Sequence, residues 1–360
     1  MSVILNGTIR ALLLFDISEE IDLKKLRPLV GASDAKREPA FRGPSPEYVR
    51  YEQPPVADTL GVCEPFENWP MQGRIRYFDY GIASVELRTA FSAVDWQQVI
   101  SLANRWVLSD ELEKRARELL RSRIERISAA LIKPYENWTA EDYYVIQVDP
   151  LTSSSEDLMR DRGNEIAQIV RGEELRLSPN ERQEVLASSM SYYPQDLLVV
   201  GWVAAFVYDT AEGAAPTIDL LEYANSQLLE FRHYDEVLTG VLADVYKRLD
   251  KKRRGFARWT LVRQAEKLNT LRLDYREVVE RTDNAIKFLS DMFYARAYRL
   301  AAARIGVPDY RNLVNAKLSD ARDLYESLVN EFHQSRAFFL EVMVVVILLI
   351  EIGFLFKGKG

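Results

Sequence analysis

The side chains that most often carry catalysis are scarce in this chain, which has two histidines and one cysteine among 360 residues. His233 has Glu230 and Asp235 close by in the sequence, so an acid–base centre is one interpretation. We favour a surface histidine in an ion-pair patch, because the same spacing is typical of an exposed helix face. Cys63 has no evident partner in the sequence, and we do not expect it to act as a nucleophile.

The sequence contains none of the common cofactor or catalytic motifs. It has no GxGxxG fingerprint, no Walker loop, no CxxC pair and no HExxH helix, and Ser189-Met190-Ser191 is not a nucleophile elbow. With two histidines, a multi-histidine metal site within one chain is nearly excluded, although carboxylate sites are not, and we assign no metal and no cofactor. The formal net charge of −7 makes nucleic acid an unlikely partner, since phosphate binding needs clustered basic residues. We therefore assign no catalytic residue.

Two carboxylates, Glu341 and Glu351, stand in the otherwise apolar segment 337–356, which reads AFFLEVMVVVILLIEIGFLF. Twenty residues in a helix span about 30 Å, roughly the hydrocarbon thickness of a bilayer. The glutamates lie about 80° apart around such a helix, so one partner helix would shield both. Pairing within a homo-oligomer is the functional interpretation, and protonation or leaning toward the headgroups is the plain one. His333 precedes the segment and is expected at an interface or in a helix seam.

Three interpretations of segment 337–356 remain open. We favour a transmembrane anchor that contacts membrane lipid, over a helix buried inside a soluble oligomer or a removable signal. Because no signal peptide precedes the large N-terminal part, we expect a single-pass protein of the inner (cytoplasmic) membrane with its N-terminal bulk in the cytoplasm. The basic run Lys251–Arg254 either touches anionic headgroups or is a solvated turn, which we prefer.

The first 210 residues predict an α+β domain. Apolar runs predict strands at Ile9–Phe15, Arg74–Phe78 and Ile82–Leu87, and a helix is expected over Ser18–Leu29. Residues 31–70, rich in Pro and Gly, predict a long surface loop with one short strand near Tyr48–Tyr51.

The rest of this domain is predicted to alternate between helix and strand. Apolar spacing predicts helix over residues 94–131, and Tyr143–Val148 is expected to be a strand. A helix is expected from about Ser154 to Arg171. The continuous apolar run Leu197–Tyr208 is too short to span a membrane, and we interpret it as one buried central strand.

Residues 211–336 predict a stalk of long antiparallel helices with coiled-coil-like apolar seams. The seams break at residues 250–255 and again at Gly306-Val307-Pro308, a helix stop followed by a helix start. A straight second helix would run charged residues alongside an embedded tail, so we expect it to bend near Arg281–Asn284.

Two stretches resemble a known family. The first is Phe78-Asp79-Tyr80-Gly81, and the second is residues 330–336, which contain His333 and Arg336 and lead into Leu340-Glu341 and an apolar run broken at Glu351. Together they resemble the YagE-type "required for meiotic nuclear division" family, whose Arg-Leu-Glu spacing is here interrupted by residues 337–339. The resemblance implies a divergent bacterial member: an α+β domain, long helices and one C-terminal hydrophobic segment, without known enzymatic activity. Eukaryotic members are mitochondrial and linked to translation.

These observations predict a tail-anchored, non-enzymatic scaffold or assembly protein. Its three parts are an α+β head (1–210) that binds an unknown protein partner, a self-associating helical stalk (211–336) and a transmembrane anchor (337–356). One alternative is a membrane-tethered hydrolase or nuclease that uses the α+β domain. The other is a soluble oligomer with buried C-terminal helices.

Overall fold

The chain folds as an α+β N-terminal domain followed by helices. The computed structural model describes residues 4–31, 54–250 and 292–324, with residues 273, 275, 276, 279, 326, 341 and 343–345. The domain is built on a mixed eight-stranded sheet with the strand order β3-β4-β5-β1-β7-β10-β9-β8. The strands are β1 (Leu5–Asp16), β2 (Ser18–Ile21), β3 (Val56–Phe66), β4 (Trp69–Tyr77), β5 (Ile82–Val94), β6 (Leu131–Pro134), β7 (Ala140–Val148), β8 (Ser189–Met190), β9 (Leu197–Val200) and β10 (Ala204–Tyr208).

The sheet is antiparallel except for one pair. Strands β7 and β10 run parallel, as expected for strands joined by a helical crossover. Strands β2 and β6 form a separate two-stranded sheet. Strand β1 lies near the middle, between β5 and β7, and is buried on both faces from Ile9 to Asp16. A strand that is covered on both sides reads as a nearly continuous apolar run, which explains its sequence.

One face of the sheet carries the main apolar core and is covered by five helices. They are α1 (Leu23–Val30), α2 (Trp96–Val107), α3 (Asp110–Ile127), α4 (Ser155–Arg171) and α5 (Pro179–Leu186). Helix α2 begins with a capping box in which Asp95 and Gln98 each accept the backbone N–H of the other. Its buried stripe includes Trp96, Val99 and Trp106, so an amphipathic period seats it on the core.

Where the chain after the sheet is described continuously, it forms three helices: α6 (Ala211–Asp250), α7 (Met292–Ile305) and α8 (307–324). Residues 220–231 of α6 are all buried, including several polar ones, so this part of the helix is enclosed on every side. Helix α7 ends at Ile305, and Gly306 follows it with a φ of 96°, a left-handed conformation that glycine adopts without strain. The predicted break at Gly306 is confirmed.

The described residues belong to two units. The first comprises residues 1–233 and 278–311 and holds the sheet. The second comprises residues 234–277 and 312–360. In the second unit the Tyr234 and Tyr275 rings meet edge to face with centroids 5.5 Å apart, and Lys317 Nζ lies 2.6 Å from Asp235 Oδ1.

Many predicted elements are confirmed, though usually longer than expected. The strands at Ile9–Phe15, Arg74–Phe78, Ile82–Leu87 and Tyr143–Val148 correspond to β1, β4, β5 and β7. The helical interval 94–131 holds α2 and α3, and the helix from Ser154 is α4 with Ser154 as its N-cap. The α+β class of the N-terminal part is therefore correct.

Three element predictions are wrong. The expected helix over Ser18–Leu29 begins only at Leu23, because residues 18–21 pair with β6. The expected loop 31–70 holds β3 and the start of β4. The Gly and Pro residues of β3 and β4 made this segment look like a loop. The two strands nevertheless pair, and the register of their pairing shifts twice. The single strand over Leu197–Tyr208 is two antiparallel strands, because the chain reverses at residues 201–203.

The expected transmembrane helix is not found among the described residues, in which no helix is long and apolar enough to cross a bilayer. Segment 337–356 contributes only Glu341 and residues 343–345 to that part of the chain, so this prediction lies largely outside it. The expected strand near Tyr48–Tyr51, the turn at Lys251–Arg254 and the bend near Arg281–Asn284 also lie outside the described residues.

Candidate functional site

Charged side chains meet on the face of the sheet that α6 covers. Strand β5 lies between β1 and β4, and its Glu86 shares this face with Arg10 of β1 and Arg74 of β4. Arg10 Nε is 3.1 Å from Glu86 Oε1, and Arg74 Nη2 is 2.5 Å from Glu86 Oε2. One buried carboxylate is therefore held between guanidinium groups from two different strands.

Helix α6 completes this cluster with Asp219 and Glu222, which lie three residues apart and so on one side of the helix. Arg76 of β4 bridges them: its Nη2 is 2.7 Å from Asp219 Oδ1 and its Nη1 is 2.9 Å from Glu222 Oε2. We call the whole cluster the ionic layer. It comprises Arg10, Arg74, Arg76, Glu86, Asp219 and Glu222. Its guanidinium and carboxylate groups are equal in number, so its formal charge is balanced.

Burial and pairing act against each other on these groups. Burial raises the pKa of Glu222, against the opposing effect of Arg76 and Arg74. Burial also acts upward on Glu86, but Arg74 and Arg10 outweigh it and the pKa of that carboxyl is lowered. The pKa of Arg76 is raised because its acidic partners outweigh its burial. The ionic layer therefore neutralises its charges internally.

The ionic layer has the composition of a hydrolytic site, but its centre is buried, while the Arg74 and Asp219 side chains at its edge are 31% and 30% exposed. Arg10, Glu86 and Glu222 are all buried, and Glu222 has no exposed surface. Two cavities are considered below, and none of the layer's six residues lines either of them. A pocket with convergent carboxylates and arginines would favour an enzyme. In the ionic layer the carboxylates and arginines instead form ion pairs with each other.

His233 lies further along α6 and is held by residues of other elements. Its Nδ1 is 2.6 Å from Asp16 Oδ2 at the end of β1, and its ring stacks on Tyr135 with centroids 5.2 Å apart. Burial raises the pKa of Asp16, and the contact with His233 opposes that rise. The contact ties α6 to the central strand, and the sequence spacing gave no sign of this strand partner.

The turn Phe78–Gly81 joins β4 to β5 and packs on α6. Tyr80 Oη is 2.6 Å from Ser226 Oγ, and both side chains are buried. The Phe78 ring lies 6.5 Å from the Tyr223 ring, centroid to centroid. Burial raises the pKa of Tyr80. These contacts fix the turn against the helix. Because burial raises its pKa, Tyr80 is a poor proton donor.

Glycine is required at the end of this turn. Gly81 has a φ of 92°, and a Cβ there would lie 1.8 Å from the carbonyl oxygen of Ser18. The backbone is also tied to the neighbouring segment, because Ile17 N–H donates to Gly81 O and Ile21 N–H donates to Asp79 O. The role of this glycine in the structure is to let two segments approach closely.

The other predicted site residues lie near the apolar segment. Glu341 is described and is exposed on a helix. Glu351, His333 and Arg336 lie outside the described residues. Their predicted roles in membrane insertion and helix pairing stay predictions.

One cavity, of about 100 Å³, lies beside β9, β10 and α7 in the first unit, and we call it the aromatic cleft. Its aromatic lining residues are Tyr192, Tyr193, Tyr208, Phe293 and Tyr294. Two carboxylic residues, Asp196 and Asp209, also line it. Sequence reasoning missed this site. The sequence signal that could have indicated it is two pairs of adjacent aromatic residues, Tyr192-Tyr193 and Phe293-Tyr294. In the structure the first pair is exposed.

A second cavity, of about 260 Å³, contains Cys63. Its other lining residues include Met71, Leu87 and Leu119, which are apolar, and the charged Arg115. Burial raises the pKa of the Cys63 thiol, which lowers the fraction of reactive thiolate at neutral pH. In the part of the chain that is described, no group of three or more His, Cys, Asp or Glu side chains is placed to hold a metal ion.

Comparison with known proteins gives one family. A family model described as "Uncharacterized protein MJ0711, N-terminal domain" matches residues 6–215. The chain is 21% identical over 248 residues to the uncharacterized protein MJ0711 of Methanocaldococcus jannaschii, across 68% of this chain and 76% of that relative. No solved structure gives a significant match.

The resemblance to the YagE-type family is therefore wrong. The matching family model covers the whole sheet and the start of α6, whereas the resemblance relied on two short strings. The four residues Phe78–Gly81 fit a tight turn between antiparallel strands, and similar strings recur wherever such a turn requires glycine. The implied link to translation and the assignment to a divergent bacterial branch fall with the resemblance.

Proposed function

The chain belongs to the family of the uncharacterized protein MJ0711, and we propose that it is a tail-anchored, non-enzymatic scaffold or assembly protein. In this proposal the α+β head binds a protein partner in the cytoplasm. The helices of residues 211–336 form an antiparallel, self-associating stalk. Residues 337–356 form a single transmembrane helix in the inner membrane. Tethering would act by confining the bound partner to a surface and so raising its effective concentration.

The internal pairing of the ionic layer is the observation that carries the non-enzymatic part of the proposal. Its guanidinium and carboxylate groups form ion pairs with one another beneath α6. A hydrolase or nuclease needs such groups at the wall of an open pocket, where substrate phosphate or carbonyl groups can reach them. Exposed aromatic side chains on the same unit, among them Tyr192, Tyr193 and Trp202, instead support a binding role.

Contacts in the second unit support the antiparallel stalk. Tyr275 Oη donates to Asn315 Oδ1 at 3.2 Å, and Lys317 Nζ contacts Asp235 Oδ1 and Thr239 Oγ1, both at 2.6 Å. Residue 275 thus contacts α8, and α8 contacts the second half of α6. Helices that touch through side chains at several levels are typical of a bundle or hairpin.

The described part of the apolar segment supports the anchor. Met343, Val344 and Val345 are helical, and each is about half exposed. Three successive positions point in directions about 100° apart, so apolar surface extends around much of this helix. Such a helix needs lipid or another protein chain to cover it, and lipid also suits the length of segment 337–356.

Carbonate extraction of membranes tests the anchor. We expect the full chain to stay in the membrane pellet at alkaline pH and a chain ending at Arg336 to be released. A control that replaces Lys357 and Lys359 with alanine should stay in the pellet, because it leaves the apolar segment intact. Release of the full chain would contradict the anchor. A tail-dependent oligomer in detergent-free buffer would then identify the soluble-oligomer alternative.

Two further experiments test the scaffold part. Glu341→Leu and Glu351→Leu should change the oligomer size in mild detergent if these glutamates pair helices, and an unchanged size would contradict that pairing. Crosslinking in the native membrane should give a species that contains a second, different protein. If crosslinking gives only multiples of this chain, the partner-binding role of the head is wrong.

A further inference from the structure

We propose that the cavity beside Cys63 binds a small, uncharged apolar molecule, such as one aromatic ring with short substituents. We call this space the Cys63 cavity. It lies in the first unit, between strands β3, β4 and β5 on one side and helix α3 on the other. The site is separate from the ionic layer, and it is additional to the partner binding and the membrane anchor proposed above.

Two glycines at one level of the sheet explain why there is space under α3. Gly61 of β3 pairs with Gly73 of β4, and Gly73 pairs with Leu87 of β5. Residues that pair directly across strands carry their side chains on the same face, so two side chains are missing beside Leu87. A Cβ at Gly73 would lie 2.6 Å from Cys63 Sγ, so the thiol uses part of the room that this glycine leaves.

The inner wall of the cavity is apolar. Met71, Leu87 and Leu119 line it, and the first two are each only 2% exposed. Burial raises the pKa of the Cys63 thiol, so the thiol is uncharged at neutral pH and adds to the apolar surface. An apolar molecule on this wall is held by the hydrophobic effect, because its own surface and the wall are both removed from water.

The volume of the cavity suits a molecule with one or two rings. It is about 260 Å³, whereas an engineered cavity of roughly 150 Å³ in another protein accepts benzene. Voids in well-packed protein cores are rarely larger than a water molecule, so a space of this size is more than a packing defect. Pockets for drug-sized ligands have about 300 to 1,000 Å³, so the Cys63 cavity selects smaller molecules.

The one cationic side chain among the described lining residues is already engaged. Arg115 Nη1 donates to the carbonyl oxygens of Glu64 and Pro65 at 3.4 and 2.8 Å, and its Nε donates to Glu111 Oε1 at 2.9 Å. Its Nη2 also donates to Glu111 Oε1, and the guanidinium carbon lies 5.6 Å from the centroid of the Phe66 ring. All three nitrogens of Arg115 therefore hold α3 to the end of β3. They are not left to pair with a ligand carboxylate, which favours an uncharged ligand.

Fluorine NMR on the detergent-solubilised full chain tests the proposal with three probes of one shape. At neutral pH 4-fluoroacetophenone is neutral, 4-fluorobenzoate is an anion and 4-fluorobenzamidine is a cation. Each probe is also measured in detergent without protein, which gives the baseline for partition into micelles. We expect saturable binding of the neutral probe at one site per chain, and at least tenfold weaker binding of both charged probes.

Two results of this titration would overturn the proposal. The first is that the neutral probe shows no saturable binding above the detergent baseline. The second is that either charged probe binds as tightly as the neutral one, because the cavity would then not select an uncharged molecule.

Two substitutions that fill the cavity locate the binding. Ser122→Phe adds a ring from α3, and Cys63→Phe adds one from β3. Each should weaken the binding of 4-fluoroacetophenone at least tenfold, because the new ring takes the place of the ligand. Ser122 is exposed, so its variant keeps the fold even if Cys63→Phe does not.

Each filling variant has a matched control on the same part of the chain. Ser128 is exposed like Ser122, and the Oγ of each donates to the carbonyl oxygen three residues earlier, at 2.8 and 2.7 Å. Val62 is the neighbour of Cys63 and is 83% exposed. Neither Ser128 nor Val62 lines the cavity, so Ser128→Phe and Val62→Phe should bind the probe with unchanged affinity. If Ser122→Phe binds as tightly as Ser128→Phe, the assigned site is wrong.

Discussion

The ionic layer and the aromatic cleft lie in the same unit and differ in what their side chains contact and how far they are exposed. In the ionic layer, carboxylates and guanidinium groups contact one another beneath α6, with Glu86 between Arg10 and Arg74. In the cleft, Asp196 and Asp209 stand among aromatic rings, with no basic residue in the described lining. The first arrangement pairs its charges within the fold, and the second includes aromatic rings that are about half exposed, those of Tyr192 and Tyr193.

This difference separates stability from binding. Breaking a closed ionic cluster leaves a buried charge without a partner and is therefore costly to folding. Removing an exposed ring from a cleft leaves the fold largely unchanged but takes away a contact for a ligand. Substitutions in the two regions should consequently affect different measurements, and the following predictions are arranged from the largest expected effect to the smallest.

Arg76→Ala should destabilise the protein by about 3–5 kcal/mol, because it leaves Glu222 buried and without its closest cation. The measurement is the free energy of unfolding of the full chain in urea. Arg304→Ala is the matched control, since Arg304 pairs with Glu184 at the surface and should cost at most about 1 kcal/mol. Equal losses in the two variants would show that the ionic layer is not a closed cluster.

Gly81→Ala should cost about 3 kcal/mol, since the added methyl group would meet the backbone of Ser18 and the φ of 92° disfavours alanine. Gly31→Ala offers a control with a similar φ, 71°, but with open space around it. That substitution should cost only about 1 kcal/mol. If the two variants unfold at the same urea concentration, the close approach to Ser18 does not constrain the turn.

The N-terminal domain was predictable where local pattern and tertiary role agree. The apolar strand Ile9–Phe15 and the glycine turn at Gly81 follow from residue type alone, because burial on both faces and a left-handed φ each demand one kind of residue. Strand β3 was not predictable, because its exposed side chains and its glycine, Gly61, are also typical of a loop. Its strand character depends on pairing with β4, a tertiary contact.

The candidate sites were less predictable than the elements. Apolar spacing in α6 predicts one buried stripe, yet Glu222, Ser226 and Gln227 are also buried because the helix is covered on every side. Their partners are distant in sequence: Ser226 contacts Tyr80, and Tyr298 Oη donates to Gln227. A single sequence carries no record of such pairs. Only the isolated charge of Arg10 in an apolar strand signalled a buried ion pair.

The two carboxyl groups of the ionic layer should respond differently to substitution by glutamine. Because the pKa of Glu86 is lowered in the folded state, its stabilising effect is present above its ordinary value of 4.5 and is lost as pH falls through the lowered pKa. Glu86→Gln should therefore destabilise the protein more at pH 7 than near pH 3. The difference should be about 1.4 kcal/mol for each pH unit by which the folded-state pKa of Glu86 lies below its ordinary value.

Glu222 should show the opposite sign, because its pKa is raised. Its ionised form is disfavoured in the folded state, so its contribution to stability decreases as pH rises from 4.5 through the raised pKa. Glu222→Gln should then cost less than Glu86→Gln at pH 7. The measurement is urea unfolding of both variants at the two pH values. An identical pH dependence would contradict the different environments of these carboxyl groups.

Tyr192→Leu should change the free energy of unfolding by no more than about 0.5 kcal/mol, because the ring is 54% exposed. Tyr77→Leu reverses the pattern: its ring is fully buried on the sheet, so it should lower stability without touching the cleft. If Tyr192→Leu instead unfolds the head as readily as Tyr77→Leu, the cleft aromatics are core residues, and the contrast between a buried ionic layer and an exposed aromatic cleft fails.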